Sequence, residues 1–271
     1  MAKSESDGKA LAPKENTALA ELGLDVEAIA ADAQKDGEIG LGDISIPYLY
    51  VLQANSPQVN EDSEKYIDGA KSGMFYLTVM DEIFDGRNEG IELIFCYYDK
   101  NINEWVPRDD GGGLVAVHAA DSDIMQQARP DDKGRPVLPN GHQLVETANH
   151  YCLIKSGDKW IQCLFPMKST ALKTSRKLNS VVSTTMIPGT DKRAPRYLYR
   201  YNFKTQKEQK DDQIWSTPIF GGQTGMVTKE QYNAAKAYAE IASQGILRMA
   251  AKDSAEPSTS SDSGSGSSDV M

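Results

Sequence analysis

Residues 196–204, RYLYRYNFK, place an aromatic ring at every second position, Tyr197, Tyr199, Tyr201 and Phe203, with Arg196, Arg200 and Lys204 at positions between them. At about 3.6 residues per turn a helix would scatter these rings around its cylinder. A strand gathers all four on one face and the cations on the other, because its side chains alternate. The segment therefore demands a sheet around it. Two occupancies are open: the rings face a core and the cations face water, or the rings stand exposed and can stack on something flat while the cations hold something anionic.

The neighbouring sequence supplies strands for that sheet. DISIPYLYVLQANSPQV alternates β-branched and aromatic residues before Ser-Pro punctuation, and GMFYLTVMDEIFDGRNEGIELIFCYYDKNINEWVP reads as hairpin-like strands ending at the turn RDDGGG. LVAVHAA is a further strand, and residues 121–141, with three prolines, form a long loop or insertion. QLVETANHYCLIKS and KWIQCLFPM flank Gly157 and Asp158 as a hairpin. The period then changes to that of a helix in STALKTSRKLNSVVSTT, where Leu172, Ser175, Leu178 and Val182 share a face and Ser169 or Thr170 can cap the start. A second helix, over 228–251, opens on a capping box of Thr228 and Gln231, with Tyr232, Ala235, Ala239, Ala242 and Ile246 along one side.

Both ends of the 271-residue chain are polar. Residues 1–40 form an acidic arm with a marginal helix behind Asn16, interrupted at Gly23 and stopped at Gly37. Residues 252–271 are rich in Ser and Gly, carry Asp253, Glu256, Asp262 and Asp269, and are too apolar-poor to fold, so they are expected to be a disordered acidic tail. Between them lies a β-rich domain, 41–227, followed by the C-terminal helix. The fold class is thus mainly β with flanking helices, an α+β chain. No 18-residue apolar run and no signal-peptide core occur, so a cytoplasmic protein with no membrane partner is expected.

Charge is distributed unevenly. Residues 155–210 hold 13 Lys and Arg against three acids, a net +10 in a chain totalling −10, which leaves −20 for the remainder. This is the footprint of an anion-binding face on a chain whose other parts repel the same anion. The candidate nucleic-acid contacts are Lys168, Lys173, Arg176, Lys177, Arg193, Arg196, Arg200 and Lys204 for phosphates, with Tyr197, Tyr199, Tyr201, Phe203, Trp105 and Trp160 for stacking on bases. The alternative for each is ordinary: solvated cations and buried rings.

Catalytic and metal chemistry find little support. Cys96, Cys152 and Cys163 make no C-x-x-C pair and read as reduced, buried thiols; a zinc site of His150, Cys152 and Cys163 lacks a second close-spaced ligand pair. RDDGGG could offer Asp109 and Asp110 to a metal or cradle a phosphate on Gly111 to Gly113, but no Lys-Ser/Thr follows as a P-loop requires. PDDK at 130–133 is contiguous, unlike the dispersed carboxylates of a nuclease, and His118, His142 and His150 assemble no nucleophilic triad. The chain is therefore expected to be no enzyme and to need no cofactor.

The basic, aromatic β-rich domain with an acidic tail resembles the single-stranded DNA-binding proteins, especially those of bacteriophages. IPYLYVLQANSPQV, GMFYLTVMDEIFDG and NEWVPRDDGGGLVAVH are similar to stretches of phage proteins associated with replication genes. The resemblance, spanning about residues 40–245, implies an OB-like β-barrel, sequence-tolerant binding of single-stranded DNA in replication or recombination, and a tail that competes with DNA or recruits replication or recombination proteins. In that picture residues 168–177 and 196–204 line one cationic groove. A virion or scaffold-like structural protein is the alternative, and a metal-dependent nuclease built on Asp109 and Asp110 a third.

Overall fold

In the computed structural model the described residues are 45–245, together with Asp25. The chain divides into two units, 1–43 and 44–271, and the described fold lies in the second. The expected helix behind Asn16, the end of the C-terminal helix beyond 245 and the acidic tail lie outside the described residues.

Strands β1 (Leu49–Val51), β2 (Phe75–Leu77) and β3 (Glu82–Phe84) make a small antiparallel sheet. A larger sheet of eight strands is built from β4 (Ile91–Trp105), β5 (Leu114–Ala119), β6 (Arg129–Pro130), β7 (Pro136–Val137), β8 (Gln143–Ser156), β9 (Lys159–Lys168), β10 (Tyr199–Lys210) and β11 (Gln213–Met226). Among the described residues three α-helices accompany them: α1 (Ile124–Gln127), α2 (Leu172–Thr184) and α3 (Lys229–Ser243).

β4 organises the large sheet. One of its edges pairs with β8 from Leu93↔Ile154 to Trp105↔Gln143. Its other edge is shared, by β10 near Leu93↔Tyr201 and by β5 near Asn101↔Ala119. β8 carries β9 through the hairpin expected at Gly157 and Asp158, closed by Ser156↔Lys159. β10 and β11 meet over Asp211 and Asp212, with Asp211 in the left-handed region at φ 52° that a two-residue hairpin turn requires.

The two sheets curl towards each other into a half-barrel. Tyr48 bridges Leu164 in parallel, the Thr205 N–H donates to the Gly86 carbonyl at 2.7 Å, and the Gln53 amide exchanges hydrogen bonds of 2.8 and 2.9 Å with the Ser216 backbone. Gly86 makes that seam possible, because a β-carbon there would lie 2.5 Å from the Gly73 carbonyl oxygen and 2.8 Å from Thr205 Oγ1.

Alternation along β4, β8 and β9 gives two apolar faces, each closed by a helix. Phe95, Cys152, Phe165, Tyr201 and Phe203 form one core with Leu178 and Val182 of α2. Ile94, Cys96, Tyr151 and Leu153 form the other with Ala235, Tyr238 and Ala242 of α3. Ser175, Leu178 and Val182 of α2 are buried, as their spacing predicts, but neither Ser169 nor Thr170 caps the helix. Ser169 takes φ 52° and turns the chain into a short 3-10 segment, Ser169–Ala171, that feeds α2. α3 does open on its capping box, the Thr228 hydroxyl accepting from the Gln231 N–H and the Gln231 side chain accepting from the Thr228 N–H.

Of the two readings of 121–141, loop or insertion, the region takes the second. It holds α1, β6 and β7, and a small core of Ile102, Leu138 and Leu144 with Ile124 and Ala128 pins it to the far end of β4 and β8. No helix among the described residues is long and apolar enough to cross a membrane.

Candidate nucleic-acid interface

The strand that opened the question is resolved in favour of burial. Tyr199, Tyr201 and Phe203 are 8%, 1% and 0% exposed, so their rings are core and cannot stack on an incoming base without opening it. Phe203 meets Phe95, Phe165 and Phe220 at ring-centroid distances of 5.3, 6.0 and 5.6 Å. Tyr197 lies outside the strand, in the 3-10 turn Arg196–Leu198, and packs edge-on against Tyr232 of α3 at 5.1 Å. Trp160 is half-buried among the residues beneath α3.

The cations separate into groups. Because the β10 rings point towards α2, Arg200 and Lys204 point the opposite way. Arg200 pairs with Glu92 at 3.5 Å, and Lys204 Nζ donates to the Asn88 carbonyl at 2.6 Å. Lys173, Arg176 and Lys177 are exposed on the outer side of α2, with Lys177 Nζ 5.7 Å from the Phe220 ring centroid, and Arg193 is exposed in the following loop. Segments 168–177 and 196–204 thus do not share one groove, because the core lies between the α2 cations and the outer face of β10.

Arg196 is a structural cation. Its Nη2 donates to Asn179 Oδ1 of α2 at 2.7 Å, its guanidinium sits 5.3 Å from the Tyr98 ring centroid, and burial pulls its pKa down to about 10, leaving it charged at neutral pH. Beneath it His150 is fully buried, 2.8 Å from Ser175 Oγ, and burial holds its imidazole well below the usual range and therefore neutral. Cys152 and Cys163 face each other across β8 and β9 with their sulfurs 3.5 Å apart. Among the described residues no group of three or more His, Cys, Asp or Glu side chains is placed to hold a metal ion. Asp109 and Asp110 are exposed in the tight turn before Gly111–Gly113.

The remaining two candidates, Trp105 and Lys168, come together elsewhere. Lys168 Nζ stands 6.0 Å from the Trp105 ring centroid, and both line a groove of about 1390 Å³. It runs over the C-terminal half of β4 and its β8 partner, past the end of β9 and the Ser169–Ala171 turn, to the start of β11. Four cations line it, Lys100, Lys133, Arg135 and Lys168, against one carboxylate, Asp121, among the described residues. Lys100 is paired with Glu146 and Arg135 with Asp131, each at 2.7 Å.

The sheet face beneath this groove is polar where a strand face would ordinarily be apolar. Alternation puts Asp99, Asn101, Asn103 and Trp105 on one side of β4, opposite Asn149, Thr147, Val145 and Gln143 of β8. Asn149 Nδ2 donates to Asp99 Oδ1 at 2.8 Å. Asn101 Oδ1, Asn103 Oδ1, Trp215 Nε1 and Thr217 Oγ1, all on groove-lining residues, are out of solvent without a hydrogen-bond partner. Leaving such a group unsatisfied costs about 1–3 kcal/mol each, an expense that a bound ligand able to pair with them would remove.

The reverse face of β4 anchors this floor. Glu104 Oε2 lies 2.8 Å from His118 Nε2 of β5, and Oε1 lies 2.6 Å from His142 Nδ1 before β8. Hydrogen bonds to His142 and then His118 hold the Glu104 carboxyl below the usual carboxylate range. With its folded pKa depressed, this group stabilises the anchor above its unfolded pKa, and the contribution fades as pH falls through the folded value.

Of the nucleic-acid contacts named from the sequence, only Trp105 and Lys168 line this groove. A signal for the rest existed in YYDKNINEW, whose Asp99, Asn101 and Asn103 share a face with Trp105 that an ordinary half-buried strand would fill with apolar residues. A family model described as Pam3 phage gp34-like protein matches residues 15–247. The chain belongs to that family. The match to the Pam3 phage gp34-like family spans the whole described fold, groove included, and identifies a phage protein. No curated protein and no solved structure matches the chain.

Proposed function

We propose that the protein is a non-catalytic single-stranded DNA-binding protein that acts in phage DNA replication or recombination in the host cytoplasm. Its half-barrel takes the part of an OB-like barrel, and the strand lies in the groove beside β4, β8 and β9. The observation that carries this reading is the convergence in one groove of Trp105, four cations and four unpartnered polar atoms. A duplex presents its bases stacked and paired inside, whereas a single strand offers base faces to a ring and base edges to amides. The exposed cations of α2, which begins where the groove reaches the Ser169–Ala171 turn, continue the path for phosphates. The rings of β10 have no part in it. Partners recruited through the acidic tail belong to the same proposal.

Phosphate neutralisation makes log affinity fall linearly with log salt, with a slope of about −0.7 per contact for single strands. The triple variant Lys173→Ala, Arg176→Ala, Lys177→Ala is expected to bind a single-stranded oligonucleotide with a slope shallower by roughly 2. An unchanged slope would remove α2 from the strand's path.

A further inference from the structure

We infer that the groove selects bases whose exocyclic amino group stands at pyrimidine C4 or purine C6, cytosine and adenine, over thymine. This rests on the groove being the strand-binding site. Asn101 and Asn103 lie two residues apart on one face of β4, both line the groove, and each has a buried side-chain oxygen with no partner.

The local hydrogen bonds determine which end of the Asn103 amide is left over. The Thr147 hydroxyl donates its one proton to the Val145 carbonyl at 3.3 Å, so its oxygen accepts, and it accepts from Asn103 Nδ2 at 3.3 Å. The amide nitrogen of Asn103 is thereby committed and its carbonyl oxygen points away from Thr147. What is offered to a ligand is an acceptor. The Trp105 ring, next along the same face, supplies a plane for a base to lie on, so that a base stacked there turns its edge to Asn103.

Cytosine N4 and adenine N6 are donors at that position on the edge, whereas thymine presents the O4 carbonyl there and holds its one donor, N3–H, one ring atom further along. Two acceptors facing a carbonyl repel; two acceptors facing an amino group pair with it. A single-stranded binder with this floor is sequence-tolerant through its cations and biased through Asn101 and Asn103.

The test is a set of fluorescence titrations of the full chain with oligo-dC, oligo-dA and oligo-dT of equal length at one salt concentration. Oligo-dC and oligo-dA are expected to bind roughly three- to tenfold more tightly than oligo-dT, the worth of one net hydrogen bond. In the double variant Asn101→Leu, Asn103→Leu the three affinities should converge. Equal affinities in the unaltered protein would overturn the inference while leaving strand binding intact. A preference that survives in the double variant would overturn it too. Failure of all three oligonucleotides to bind would overturn the inference together with the reading beneath it.

Discussion

Phe203→Ala is expected to lower the free energy of unfolding by about 3–5 kcal/mol, the usual cost of deleting a large buried ring. Phe203 is wholly enclosed, touching Phe95 on β4, Phe165 on β9 and Phe220 on β11, and so joins three strands on the face that α2 covers. None of those neighbours can collapse into the space without moving a strand, because β10 is held on both edges, by β11 and by β4. Chemical denaturation followed by circular dichroism measures the loss. A ring that served the surface would give the opposite pattern: little change in stability and a large change in ligand affinity.

Trp105→Ala is expected to show that opposite pattern. A base stacked on an aromatic side chain contributes about 1–3 kcal/mol, so affinity for single-stranded DNA should fall roughly 5- to 150-fold. Stability should change far less than with Phe203→Ala, since Trp105 is half-buried at the last position of β4. Trp160→Ala provides the contrast. Its ring packs beneath α3 and does not line the groove, so it should lose stability without losing DNA affinity. Equal losses of affinity in the two variants would mean that Trp105 acts through folding alone.

These two predictions mark where the sequence was informative. Period-2 patterning identified β10 and the β8–β9 hairpin, and period-3.6 patterning identified α2 and α3, because burial of one face is a local property written directly into residue spacing. The same patterning could not say which face of β10 is buried. That was decided by α2, which contributes Leu178 and Val182 from more than a dozen residues upstream to the ring side of the strand. The +10 segment was equally visible, but net charge has no direction. Folding sends Lys173 and Lys204 to opposite sides of a core and commits Arg196 to Asn179. The groove was the least legible part. Its floor is made by Asn101 and Asn103 meeting Thr147 and Val145 in a register that only pairing of β4 with β8 fixes, and its far end by Trp215 and Thr217 on β11.

The α2 cations, Trp105 and the asparagine floor all presuppose that a single strand occupies the groove. The most direct test is a titration of the full chain with single-stranded and duplex DNA of equal length and matched sequence, at low salt and at a few-fold higher salt. The expected result is tight binding of the single strand at low salt, weakening as salt rises, quenching of tryptophan fluorescence as bases reach Trp105 and Trp215, and distinctly weaker binding of the duplex. Absence of binding at low salt, or duplex binding as tight as that of the single strand, would contradict it.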